Sequence, residues 1–384
     1  RSTPKPSSAA SDVYKRQVKR NQNQKMSPSF KAQVDPLLMK QLIQKSNQKG
    51  ILHFGFFFLV LFGVGILSFQ LLGTYWFFPV YLIYAIIFAF SEAAAHELNH
   101  DSVFRSRWLN TSAHWLVCFM SWREPIYSKY RHLRHHSKTS VIGEHPECEA
   151  VRPKSIGLMV IEMFTRFFHA KTHFGAMLRH SFGNVLAEDQ KMVPKGLHQK
   201  MIIQSRVFLA GYICLILASL MLQTWMLVLY LVLPRSLGTF LHDLCSRTQH
   251  TALAVNDPDY RMNTRTIMLG PVLRFLYWNM NYHIEHHLYQ NVPFHALPRL
   301  HEALAQQLPQ APKSLLAAWK EIFPALMIQR ENPNYFLKQL IREKFLNKFQ
   351  SLEIRFKQSE FIYLLIYRFI GGIPWQLSCL LPTL

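Results

Sequence analysis

The sequence predicts an all-α integral membrane protein: four transmembrane helices in two hairpins, with a cytoplasmic helical cap carrying clustered histidines. Three observations predict it. Two long apolar blocks have no charge in their interiors, basic residues crowd their flanks, and the chain holds 19 His among 384 residues.

Taken in order, residues 1–25 are read as a non-native or disordered segment and excluded from fold reasoning. Their first part, RSTPKPSSAASDVYKRQ, looks like translated adapter material, and the first Met is Met26. Residues 26–50 form a basic segment. The catalytic domain is expected over residues 51–310. It opens with Ile51 to Ser91, which contains no Asp, Glu, Lys or Arg. As one helix this stretch would run about 60 Å, twice the hydrocarbon thickness of about 30 Å. Gly73-Thr74 is the natural break, giving spans over about 51–72 and 75–95. The block is too long for a signal peptide.

The second block, centred on Val207 to Pro234, is one long span or two short ones. Extended at both ends it admits only Arg206 and Arg235, each placed where a long side chain can snorkel. Gln223-Thr224 then makes a turn between spans over about 201–222 and 224–241. Residues 311–384 form a tail that is basic, then apolar. Arg368 and Gly371-Gly372-Ile373-Pro374 argue against a further full span there, and the tail suggests no function.

Formal net charge is +21, which points to nucleic acid or to an anionic membrane surface. Lys and Arg are rich before the first span and between the hairpins, whereas the two proposed turns have none. The positive-inside rule therefore puts both termini and both polar regions in the cytoplasm. The charge reads as a membrane collar, and no interleaved basic and aromatic module suggests nucleic-acid binding. The five Cys show no C-x-x-C spacing, which excludes a disulfide framework and a thiolate zinc site and suggests a reducing compartment.

The histidines carry the chemistry. His96 and His100 in HELNH stand at i, i+4, so a continuing helix would put both on one face. YRHLRHHSKT supplies His132, His135 and His136, and MNYHIEHHLY supplies His283, His286 and His287, the same H-x-x-H-H pattern twice. By chance that pattern is expected about 0.05 times in such a chain. HELNH also matches H-E-x-x-H, in which two His hold zinc and the Glu is the general base. An intramembrane zinc protease would need a distant Asp ligand. NDPDY at 256–260 is a faint match, and both H-x-x-H-H boxes would stay unexplained. A metal transporter would carry ionisable residues within its spans, and these have none beyond their ends. One catalytic zinc takes three protein ligands, so eight His suit two ions, with His250 as a ninth ligand and His242 as its alternative. Boxes one and two precede the second apolar block and box three follows it, so a shared site requires that block to cross twice.

These three boxes, with two hairpins and every box on one side, resemble the membrane fatty acid desaturase and hydroxylase superfamily over roughly residues 50–310. The resemblance implies an oxygen-dependent, non-haem di-iron oxidoreductase. It would bind two Fe2+, use dioxygen as co-substrate, and act on a lipid acyl chain. Imidazole suits several metals alike, so iron comes from the resemblance and not from spacing. Desaturase is the first reading; hydroxylase or oxidative demethylase of a lipid or small molecule is the alternative. Residues 245–302 are similar to a bacterial rhizopine-oxygenase-like subgroup, which keeps a non-lipid substrate open.

There are departures. Some acyl-CoA desaturases carry a metal-coordinating Asn four residues before the extra His, where Ser246 stands here. Box three starts with His283 rather than the Gln of front-end desaturases. No H-P-G-G motif of a fused cytochrome b5 is present. Electrons would come from a separate ferredoxin, rubredoxin or cytochrome b5-type donor docking on the basic face. Glu285, Asp257, Glu92 and Asp101 are expected to orient ligand imidazoles, with solvated charge or helix cap as the plain alternative. Trp278, Asn279 and Tyr282 are expected beside a substrate channel, or in the core. His169, His173 and His180 share a face, read as an interfacial helix rather than a fourth cluster.

Overall fold

The computed structural model describes residues 30–144, 152, 155–165 and 167–340. Both the N-terminal segment 1–25 and residues 341–384 of the tail lie outside the described residues. All regular structure within them is helical.

Ser46 caps the first long helix, Asn47–Gln70, by accepting from the Lys49 N–H. It carries Leu52, Phe56, Leu59, Phe62 and Ile66 outward and buries Phe57 and Leu61. The helix closes just before Gly73, whose φ of +82° suits a residue without Cβ. The second, Phe77–Leu98, divides at Phe90 into Phe77–Ala89 and Ser91–Leu98 and is mostly buried. It is the central element, packed by the first helix on one side and by the segment after residue 225 on another. Tyr84 donates to the Tyr230 carbonyl at 2.7 Å. A third, Lys195–Met221, begins with a 3-10 turn and ends where Gln223 takes φ +49°. These three helices are long and apolar enough to cross a membrane.

The fourth expected span is not one helix. Residues 224–241 fall into Met226–Leu231, Pro234–Leu237 and the start of Thr239–Arg247. Pro234 has no N–H to continue the ladder, so the chain breaks before it and restarts with Pro at the first helical position. Gly238 follows because the backbone passes directly over the central helix. A Cβ there would sit 1.9 Å from the Ala85 carbonyl oxygen.

Arg235 does not snorkel. It is 1% exposed and pairs with Glu92, while donating to Thr239 Oγ1 at 2.6 Å. Arg123 pairs with the other oxygen of Glu92. One buried carboxylate thus joins the central helix, the loop before box two, and the broken fourth segment. Arg206, by contrast, is exposed and donates to the Ser181 carbonyl.

On the polar side, Leu297–Leu304 packs Leu300 and Leu304 against Leu42, and Leu315–Glu331 packs Ile322 and Ala325 against Ile267. His173 and His180 are buried rather than facing headgroups, and His180 Nε2 lies 3.1 Å from Asp189 Oδ2. The side chain of His169 lies outside the described residues.

Gly238→Ala should destabilise the protein by about 1–3 kcal/mol, since main chain and not a flexible side chain must move. Gly55→Ala, with nothing within 4 Å of the added Cβ, should be neutral or slightly stabilising. Thermal unfolding in detergent compares the two. Glu92→Gln leaves Arg235 buried without its anion and should cost roughly 3–5 kcal/mol. Replacing Arg235 by Met in the same chain should recover much of that loss in a double-mutant cycle.

Candidate metal centre

Box one lies at the C-terminal end of the central helix. His96 is in the last turn of Ser91–Leu98, and His100 is one residue beyond the helix cap, in a turn closed by its N–H to the Glu97 carbonyl. The helix therefore does not continue through both, yet the turn keeps their rings 5.8 Å apart. Asp101 then takes φ +51° and leads the chain away.

Box two is on Pro125–Ser137. Glu124 caps it, accepting from Ile126 and Tyr127 N–H at 2.8 and 2.9 Å, and Pro125 pre-sets the first turn. His132, His135 and His136 thereby share the buried face of the helix. Box three is the short helix His283–Leu288. Thr266 anchors it, accepting from the Ile284 N–H and donating to Glu285. His250 sits in a turn after Thr239–Arg247, pinned by the buried Arg265, which donates to the carbonyls of Thr248 and Thr251.

These four segments bring nine imidazoles together. The ligand atoms of His96, His132, His136 and His286 lie within 4.8 Å of one another, as do those of His135, His250, His283 and His287. His100 joins the first group, its Nε2 being 2.8 Å from that of His132. His136 Nε2 is 3.0 Å from His132 Nε2. In the second group, His135–His287, His250–His283 and His287–His283 each approach at 3.1 Å through Nε2. A metal with bonds near 2.1 Å sets neighbouring nitrogens about 3.0–3.4 Å apart. The spacing is that of donors around an ion.

Burial disfavours the charged form of five of these rings. It pushes His100, His136, His283 and His287 well below the usual imidazole pKa, and adjacent imidazoles add to the effect. His286 is brought down to about 3, by burial first and by His132 next. Unprotonated nitrogen is the form that ligates metal.

Two outward contacts define tautomers. His250 Nδ1 faces the Asn263 carbonyl at 2.9 Å, so Nδ1–H donates and Nε2 is left bare. Thr139 Oγ1 donates to the His135 carbonyl at 2.8 Å and lies 3.2 Å from His287 Nδ1, which fits it as that ring's acceptor. Neither was singled out from sequence. Thr139 had a legible cue, one helical turn beyond His135, but a backbone acceptor such as Asn263 leaves no trace in residue identity.

The acids expected to orient the boxes have their contacts elsewhere. Glu285 binds Thr266 and His301. Glu92 binds the two arginines, Asp101 pairs with Lys129, and Asp257 accepts from the Asp259 N–H. Ser246 lies beside Tyr277. His242 lies 3.6 Å from Glu92, apart from both groups.

Trp278 is fully buried against His53 and Phe294, and Asn279 donates to the Phe294 carbonyl. Both take φ near +55°, forming the turn that leads into box three. Tyr282 packs beside His301. Their visible work is to set that turn.

A comparison with curated proteins finds no match. A family model described as fatty acid desaturase matches residues 73–319, a stretch that includes every one of the nine histidines. With its convergent imidazoles inside that match, the chain belongs to the fatty acid desaturase family.

Proposed function

We propose that the protein is an oxygen-dependent di-iron desaturase of fatty acyl chains, with its metal centre on the cytoplasmic side of the membrane. The observation that carries this reading is the pair of imidazole groups, five donors in one and four in the other, inside the matched family region. Such a set fits two transition-metal ions far better than one tetrahedral zinc. His96 and His100 stand with His132, His136 and His286 rather than as an isolated H-E-x-x-H pair, which disfavours the protease reading.

Iron held by these donors would supply the redox chemistry that lets O2 take hydrogen from an unactivated C–H bond, for which zinc is unsuitable. The chain's own residues do the rest. Burial disfavours protonation of His100, His136, His283, His286 and His287, Thr139 and the Asn263 carbonyl orient two of the rings, and the surrounding packing limits water around the site. A separate donor of the ferredoxin, rubredoxin or cytochrome b5 type would deliver electrons from the polar side, where basic residues predominate.

For topology, we propose four crossings in two hairpins. Boxes one and two lie before the second apolar block, and His250 and box three after it. Their meeting in one cluster supports an even number of crossings through that block.

The purified protein should carry two iron atoms per chain. His135→Ala or His283→Ala should lower iron content and reduce turnover at least ~100-fold. Expression in a desaturase-negative host should yield lipids lighter by two mass units. A gain of sixteen would mean hydroxylation and a loss of fourteen demethylation. One zinc per chain, unchanged in both variants, would sink the proposal. For the topology, cysteines placed at Gly73 and Gln223 should react with a membrane-impermeant thiol reagent from outside the cell. A cysteine at Lys138 should react only after the cells are opened.

A further inference from the structure

We infer that Glu97 is a positioning residue for one of the two metal positions, its carboxylate accepting the Nδ1–H of both His96 and His286. This rests on the two-metal reading above and assigns a role that the box pattern does not need, since H-x-x-x-H uses only the two outer histidines.

Glu97 is 0% exposed, and neither of its carboxylate oxygens has a hydrogen-bond partner. Its Oε1 lies 3.4 Å from His96 Nδ1 and 3.8 Å from His286 Nδ1, at or just beyond hydrogen-bond range. Both of those Nδ1 atoms are themselves buried and unpartnered. Among the described residues, these two imidazoles are the basic groups within 4 Å of the carboxylate. A buried carboxylate with no donor is costly, so native proteins rarely keep one without a purpose. Three orphaned groups facing one another solve each other's problem when a cation sits on the far side of the rings. The cation polarises the imidazoles, Nδ1–H becomes a stronger donor, and the carboxylate balances the charge.

The two rings come from different boxes, one on each side of the second apolar block. They nevertheless belong to the same group, together with His132 and His136. Glu97 thus ties box one to box three at a single position. In the other group, His287 and His250 meet neutral oxygens, Thr139 Oγ1 and the Asn263 carbonyl. Glu97 faces rings of the first group.

The test uses the full-length protein in detergent, loaded with Fe2+ without oxygen and titrated with a ferrous chelator, alongside Mössbauer spectra. In Glu97→Gln one iron should keep native affinity, and the other should weaken 10–100-fold, with one spectral component shifted and the other unchanged. Thermal unfolding separates this from a structural role. The metal-free variant should melt at or near the metal-free native protein, because a buried carboxyl without a partner is replaced by an amide of the same shape. The iron-loaded variant should melt below the loaded native protein. Both irons held at native affinity with a native spectrum would overturn the inference alone, as would equal destabilisation with and without iron. A native protein that holds fewer than two irons would overturn the proposed function first, and this inference with it.

Discussion

Nine imidazoles must reach one small volume from four segments, and those segments lie on both sides of an apolar block. This convergence constrains everything else. In the proposed topology, it is met by a block after residue 200 that returns the chain to the side from which it left. It also demands that several rings lose water together, which burial alone would oppose if they were charged. Neutral imidazole resolves that conflict, and the lowered pKa of His286 and its neighbours is its electrostatic expression.

The rings are held by scaffolding outside the clusters. Glu124 and Pro125 fix where the box-two helix starts, and so which face His132, His135 and His136 share. Thr266 does the same for box three from a neighbouring strand-like stretch of loop, and Arg265 pins the His250 turn through two carbonyls. Beneath box one, Glu92 and its two arginines clamp the central helix against the broken segment at Pro234. That clamp lies one helical turn before His96. A shift there would propagate straight into the first box, because packed helices transmit displacement with little give.

Periodicity and residue type made much of this legible. Charge-free blocks marked the long helices, and Gly73 and Gln223 fell at the turns as expected. The i, i+3, i+4 spacing named eight of the nine histidines, and position after the second block supplied His250. Other features depended on tertiary partners that no local pattern encodes. Arg235 looked like a snorkelling residue until Glu92 came within reach of it. The fourth span looked continuous, although Pro234 in its middle was a visible warning. Acids were chosen for closeness in sequence to the boxes, but Glu285 turns its carboxylate away toward His301 while Glu97 turns inward. On a six-residue helix one position changes the direction faced by about 100°, so nearness along the chain says little about aim.

Glu97 shows the consequence most directly. As the second letter of H-E-x-x-H it invites a reading as general base, and as an unnamed letter of H-x-x-x-H it invites none. Its setting supports neither. A general base needs a water or substrate proton within reach, whereas this carboxylate faces the back of two rings whose front nitrogens meet the cluster. An incidental residue would not be kept fully buried and ionisable beside them. The remaining role is electrostatic, a carboxylate placed behind one group of donors. The metal held by that group would then favour a higher charge, by virtue of one side chain that belongs to no coordination shell.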